Sequence, residues 1–164
     1  MAAITPGRVL GRDGRLPWRH PEDLARLDAL TAGAVCLLGR RTHEAWRSAE
    51  RHGRRPVVIS ASGLPLRTPA PRAADFPSAL SLADHLPGEI FVCGGSRPYA
   101  DALLLAGRRH LRLHLTLVEP ECPGDVFFPP WEHLPWQPLE GPRAATPGLR
   151  FLTLDLPADP RSDR

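Results

Sequence analysis

In the stretch Gly14 to Thr31, "GRLPWRHPEDLARLDALT", one acid stands where an apolar side chain is expected. Asp23 lies four residues before Leu27 and seven before Leu30. A helix through this segment therefore places Asp23 on one face with Leu24, Leu27, Leu30 and Thr31. Glu22 and Arg26 fall on the other face at a spacing that allows them to pair. Two readings suit Asp23. An acid in the first turn is stabilised by the positive end of the helix dipole, which alone accounts for its position. A carboxylate turned into an apolar pocket has its pKa raised by burial and becomes a working group toward a ligand.

A second set of residues suits anions. Gly39-Arg40-Arg41-Thr42, Ser60-Ala61-Ser62 and Gly94-Gly95-Ser96-Arg97 each follow an apolar run of strand length. Free N–H groups at a helix start beside a cation make an anion site. Several such junctions on one sheet edge point to a ligand carrying more than one phosphate. The fingerprint G-x-G-x-x-G is absent, so the ordinary dinucleotide fold is not indicated. The histidines show no ligand spacing with Cys36, Cys93, Cys122 or the acids, so no metal site is expected. The cysteines form no CxxC pair and read as thiols in a reducing compartment.

These residues need elements to position them. "AAI" opens as a short strand, and a Gly-, Arg- and Pro-rich loop runs from Thr5 to His20. Pro21 suits the first helical position, and helix one extends to about Ala32. Apolar strands are expected at Ala34–Leu38, Pro56–Ser60 and Glu89–Cys93, with helices from Gly39–Thr42 to about Ala49, over Pro77–His85 and over Ser96–Ala106. "HLRLHLTLVE", His110 to Glu119, and "LRFLTLDL" alternate polar with apolar residues, the mark of strands with one exposed or ligand-facing side. Continuous apolar strands separated by helices predict an α/β fold with a mostly parallel sheet covered on both faces. In such sheets ligands bind beyond the carboxyl ends of the strands, where the junctions lie.

The chain has 164 residues, 42% hydrophobic and 24% charged, which fits one globular domain over residues 1–156 with "PADPRSDR" as a solvated tail, 157–164. No apolar run approaches the roughly 18 residues of a membrane span, and the N-terminus lacks the pattern of a signal peptide. A cytoplasmic location and no membrane partner are expected. The net charge of +3 could draw in phosphorylated or carboxylated small molecules. It is too weak and scattered to imply nucleic acid: Gly7, Gly11, Gly14 and Pro17 interleave with Arg8, Arg12, Arg15 and Arg19, so that stripe is a loop.

The blocks "RVLGRDGRLPW", "PEDLARL", "VCLLGRRTHEAW", "GRRPVVIS", "IFVCGGSRPYADAL" and "GDVFFP" follow one another in the order and near-spacing of the dihydrofolate reductase family, which the chain resembles over nearly its whole length. The resemblance implies a single twisted, mostly parallel sheet of about eight strands with flanking helices. It implies a monomer that reduces 7,8-dihydrofolate to tetrahydrofolate with NADPH and supplies one-carbon metabolism. Asp23 then resembles the pocket acid that bonds the pterin and promotes its protonation at N5. Thr116 resembles the threonine that bonds this acid. A hydroxyl and a polar pterin edge make an apolar-facing Asp tolerable. Leu16 and Trp18 match the mobile loop and its water-bridged tryptophan.

The same resemblance assigns Ala2 and Ala3 to pterin contacts and Leu24 and Leu27 to the wall around the benzoyl ring. Arg54 matches the arginine that clamps the glutamate α-carboxylate. Arg40, Arg41 and Thr42 match the cofactor-phosphate turn, with Ser60, Ala61 and Ser62 near the adenine ribose. Gly94-Gly95 matches a pair joined by a cis peptide, with Ser96 and Arg97 beside the pyrophosphate and Tyr99 toward the nicotinamide. Ala3, Leu10, Gly11 and Cys93 complete the expected cofactor contacts. The departures are a first strand several residues shorter than the family's, His20 where an apolar residue is usual, and "SAERHGRR" where the family has "Pro-Leu-Pro-Gly-Arg". Trp46 is expected to supply the apolar contacts that loop has lost, and Cys93 to act in packing. Competing readings are a reductase of the same superfold acting on a pyrimidine or another pterin, a non-catalytic NADPH- or folate-binding relative, and a basic RNA-binding module.

Overall fold

The protein is described by a computed structural model over residues 1–160, so the last residues of the expected tail lie outside the described residues. Pro157 to Pro160, the part of the tail that is described, is exposed. The chain divides into two compact units: Met1–Pro17 with the chain from Ala100 onward, and Trp18–Tyr99.

The Trp18–Tyr99 unit holds a parallel sheet. Its strands are β3 (Val35–Gly39), β4 (Arg55–Ile59), β5 (Arg72–Ala73) and β6 (Ile90–Val92), in the order β5-β4-β3-β6. β3 sits between β4 and β6, with Leu37 opposite both Val57 and Val92. Val35, Cys36, Leu37 and Leu38 are fully buried, which is why this strand reads as an unbroken apolar run with no alternation. Helix α1 (Pro21–Thr31) precedes β3, α2 (Arg40–Ala45) follows it, and α3 (Phe76–Ala83) packs on β3, β4 and β5. The side chain of Asp75 caps α3 by accepting from the Ser78 N–H at 2.9 Å.

Helix α2 stops sooner than the expected end at Ala49. The carbonyls of Ser48 and Ala49 turn to the Arg54 guanidinium, at 2.5 and 3.1 Å, and so serve a side chain that a continuing helix would not offer them to. The chain then reverses through a short 3-10 turn, Arg51–Gly53, in which His52 and Gly53 take left-handed φ values of 57° and 72°.

The other unit contains β1 (Ala2–Ile4), β2 (Val9–Gly11), β7 (Leu111–Val118), β8 (Val126–Phe127), β9 (Gln137–Thr146) and β10 (Leu149–Leu156). One sheet runs β1-β7-β10-β9, with β1 parallel to β7 and the remaining pairs antiparallel; β2 and β8 form an antiparallel pair. The expected "mostly parallel" sheet is corrected here: the fold is α/β, and its strand pairing is mixed. Helix α4 (Ser96–Leu103) carries the boundary between the units.

Four strands were not expected: β2, β5, β8 and β9. β2 lies within the Thr5–His20 stretch, where Val9 is buried and pairs with Phe127. Gly124 allows this pairing, because a Cβ there would sit 2.2 Å from Val9 Cγ1 and 2.8 Å from the Gly11 carbonyl oxygen. β9 contains Pro138, Gly141 and Pro142 and is exposed along nearly its full length. It is an edge strand held by β10 alone, so it buries no face that could mark the sequence with a period.

Candidate active site

Helix α1 inverts the usual burial order. Its buried residues are Asp23 and Thr31, while Leu24 keeps 46% of its surface exposed. An acid that is 7% exposed stands next to a half-exposed leucine, so one turn of this helix offers both charge and apolar contact. Glu22 is exposed and Arg26 half-buried. Thr31 donates to the Leu27 carbonyl at 2.6 Å and accepts from Arg54 Nη1 at 3.3 Å.

Arg54 is heavily engaged within the protein. Its side chain has no exposed surface. Nε donates to the Ala49 carbonyl at 3.1 Å and Nη2 to the Ser48 carbonyl at 2.5 Å. Nη1 donates to Thr31 and, at 2.7 Å, to Asp28 Oδ1. The guanidinium carbon lies 4.8 Å from the centre of the Trp46 ring. Trp46, expected as an apolar wall, covers the cation.

Across the expected cofactor turn, the Gly39 N–H donates to the Gly94 carbonyl at 2.7 Å, joining the end of β3 to the segment after β6. The Gly94–Gly95 peptide is cis. Gly94 has a φ of 116°, and a Cβ on it would meet the Tyr99 hydroxyl at 3.4 Å and Thr42 at 3.5 Å. Only glycine combines that backbone with that approach. Thr42, Gly94, Gly95 and Tyr99 are therefore brought together. Arg40 pairs with Glu44, and Arg41 and Arg97 are exposed. Ser60 and Ser62 bond each other through their hydroxyls at 2.9 Å, and Ala61 between them is exposed. Burial pushes the Tyr99 hydroxyl well above the usual phenol range, and the charges of Cys93 and Asp23 add to this.

In the other unit the β1/β7 register sets Ala2 opposite Leu115 and Ala3 opposite Thr116. Along one face of β7, Arg112 is exposed, His114 is half-buried and Thr116 is fully buried. The Thr116 hydroxyl has no hydrogen-bond partner among the described residues. Leu10 is half-buried and Gly11 buried, while Leu16 is 51% exposed. The buried indole N–H of Trp18, in the Trp18–Tyr99 unit, also lacks a partner among the described residues.

The dihydrofolate reductase family model matches residues 1–146. A dihydrofolate reductase type 3 of Salmonella typhimurium is 34% identical over 85% of this chain and 83% of its own length. Dihydrofolate reductase HdrB of Haloferax volcanii is 30% identical over 100% of this chain and 86% of its own. A dihydrofolate reductase of Neisseria meningitidis serogroup B is 31% identical over 92% and 91%.

The chain belongs to the dihydrofolate reductase family.

Membership places it among the nicotinamide-dependent oxidoreductases. The residues present suit such a cofactor. The bare Gly94–Gly95 backbone against Thr42 leaves a cradle that a Cβ would fill, and the hydroxyls and arginines at the strand ends are of the type that donates to phosphate and ribose oxygens. The buried Thr116 hydroxyl and Trp18 N–H are polar groups that a ligand or a water would satisfy. Among the described residues no group of His, Cys, Asp and Glu could hold a metal, and no helix is long and apolar enough to cross a membrane.

Sequence reasoning missed three features of this region. Asp28, four residues after Leu24 and three before Thr31, lies on the site face of α1, so helical spacing alone would have found it. His43 is fully buried, with Nε2 3.1 Å from the Thr68 hydroxyl and 3.3 Å from Glu50 Oε1, a contact no local pattern announces. Burial opposes ionisation of Glu50, but bonds from the Thr68 hydroxyl and its own backbone N–H and the charge of Arg67 hold it below the ordinary range. Cys36 and Cys93 lie close enough to interact: the Cys93 side chain and burial push the Cys36 thiol far up, while Cys93 Sγ donates to the Phe91 carbonyl oxygen at 3.7 Å.

Proposed function

We propose that this chain catalyses reduction of 7,8-dihydrofolate to 5,6,7,8-tetrahydrofolate with NADPH, supplying one-carbon metabolism, as a cytoplasmic monomer whose residues 1–156 work as one domain. The family's single twisted sheet of about eight strands belongs to the same reading. The observation that carries it is the burial of Asp23 on a helix that leaves Leu24 half-exposed.

Asp23 binds the pterin edge and biases protonation at N5. A carboxylate in an apolar site is suited to that work, because neighbours and burial tune its proton affinity. Thr116 donates its hydroxyl, which has no partner among the described residues, to the pterin, with Ala2 and Ala3 on the paired strand β1. Leu24, Leu27 and Trp46 wall the benzoyl ring, and Arg54 takes the tail carboxylate. Leu16 and Trp18 close over the reacting rings and exclude water. Arg40, Arg41, Thr42, Ser60, Ala61, Ser62, Ser96 and Arg97 hold the cofactor's phosphates and ribose. Leu10, Gly11, Cys93, Gly94, Gly95 and Tyr99 set its nicotinamide end. When bound, NADPH supplies the hydride that reduces pterin C6. The protein's share of the acceleration is orientation of the two rings and the electrostatic bias at N5.

The test is dihydrofolate-dependent NADPH oxidation by the native chain and by Asp23→Asn. The variant is expected to lose about 10²-fold or more in turnover at neutral pH, the scale of general acid–base assistance. Its NADPH affinity should change little. Equal turnover of the two proteins across pH would overturn the assignment of Asp23, and absence of activity in the native chain would overturn the function.

A further inference from the structure

The Arg54 guanidinium is largely spoken for before any substrate arrives. Of its five N–H groups, one meets Ala49, one Ser48, one Thr31 and one Asp28. Among the described residues a single Nη2 hydrogen is left. A bidentate grip on a carboxylate needs two parallel N–H groups. The backbone carbonyls and Thr31 are buried structural partners that hold the guanidinium plane. Asp28 differs from them. Its side chain is 41% exposed, and its other oxygen, Oδ2, lies 3.5 Å from Nε2 of the half-exposed His52. It can swing into water without leaving a cavity.

We propose that Asp28 is a specificity-determining residue whose carboxylate occupies the Arg54 N–H that a substrate's tail carboxylate must take. A tail-bearing substrate has to displace Asp28 or lie beside it as a like charge, and both weaken the contribution of the tail. A 7,8-dihydropterin without a carboxylated tail meets no such competition. Compared with a version of itself lacking the Asp28 charge, the enzyme therefore favours tail-less dihydropterins. This inference rests on the assignment of Arg54 to the tail carboxylate given above.

The experiment compares the native chain with Asp28→Asn and Asp28→Ala, using dihydrofolate and 6-methyl-7,8-dihydropterin as substrates. Asp28→Ala is expected to lower KM for dihydrofolate about tenfold with kcat unchanged, a size set by two charges about 4 Å apart screened nearly as in bulk water, as the exposure of Asp28 allows. Asp28→Asn should do the same to a lesser degree, because its amide oxygen can still accept from Arg54. The kinetics of the methyl-pterin should stay constant. Parallel shifts for both substrates, no shift for either, or a higher KM for dihydrofolate would overturn the proposal. Binding of 4-aminobenzoylglutamate, followed by ligand-observed NMR, reads the same competition without turnover. Tightening by about tenfold in Asp28→Ala supports the proposal even if the native chain reduces neither substrate, and equal affinity overturns it.

Discussion

Replacing Arg54 by Lys measures how much this side chain holds the fold, apart from the ligand contact proposed for it. The guanidinium reaches Ser48, Ala49, Thr31 and Asp28 from three nitrogens spread over a rigid plane. An ammonium carries its donors on one atom at the end of a flexible stem, so it cannot reach the Ser48 and Ala49 carbonyls while also meeting Asp28. A buried acceptor left without its donor costs about 1–3 kcal/mol, and loss of the planar stacking on Trp46 adds about 0.5–1 kcal/mol. The Asp28 contact adds little because that carboxylate is substantially exposed. The expected loss is about 3 kcal/mol, which for a chain of this length lowers Tm by about 6–12 °C. Urea unfolding and differential scanning calorimetry measure it directly. Retention of native stability within about 0.5 kcal/mol would refute the reasoning, because surface substitutions stay in that range and a buried, multiply bonded arginine should not.

Other outcomes follow from the same structure. Thr116→Val should leave stability unchanged or slightly higher, since the buried hydroxyl lacks a partner among the described residues; KM for dihydrofolate should rise about tenfold, the worth of one good hydrogen bond, as steady-state kinetics would show. Gly94→Ala should cost about 1–3 kcal/mol on unfolding and weaken NADPH binding measured by fluorescence titration, because the backbone sits at φ 116° under Thr42 and Tyr99. Asp155 is held below the ordinary carboxylate range by His110, with Arg112 adding to it, while burial opposes them. Its stabilising effect is present at pH values above its unfolded pKa of about 3.9 and is lost as pH falls through the lower folded value. Native chain and Asp155→Asn should therefore differ in urea midpoint near neutral pH and converge once the pH has fallen below that folded value.

The elements that bury a face were legible in the sequence. β3 and β10 were found to within a residue, because burial on both faces or on one leaves a run or an alternation of apolar residues. Strands that bury nothing, such as β9, left no such trace, and the brief β2–β8 pair depends on a glycine far along the chain. The mixed pairing of the sheet was equally out of reach, since strand direction depends on which segments meet.

Local spacing alone determined that Asp23, Leu24 and Thr31 share a helix face, and that Gly-, Ser- and Arg-rich junctions follow the strands. Tertiary structure decided which of these face residues is buried, and it made the acid, not Leu24, the buried one. It also decided that Arg54 reaches four acceptors, among them Asp28, across up to 26 positions of chain. The physical reason is range. Periodicity reports how one element meets its nearest surroundings, whereas a guanidinium is satisfied by whatever acceptors the fold carries to it.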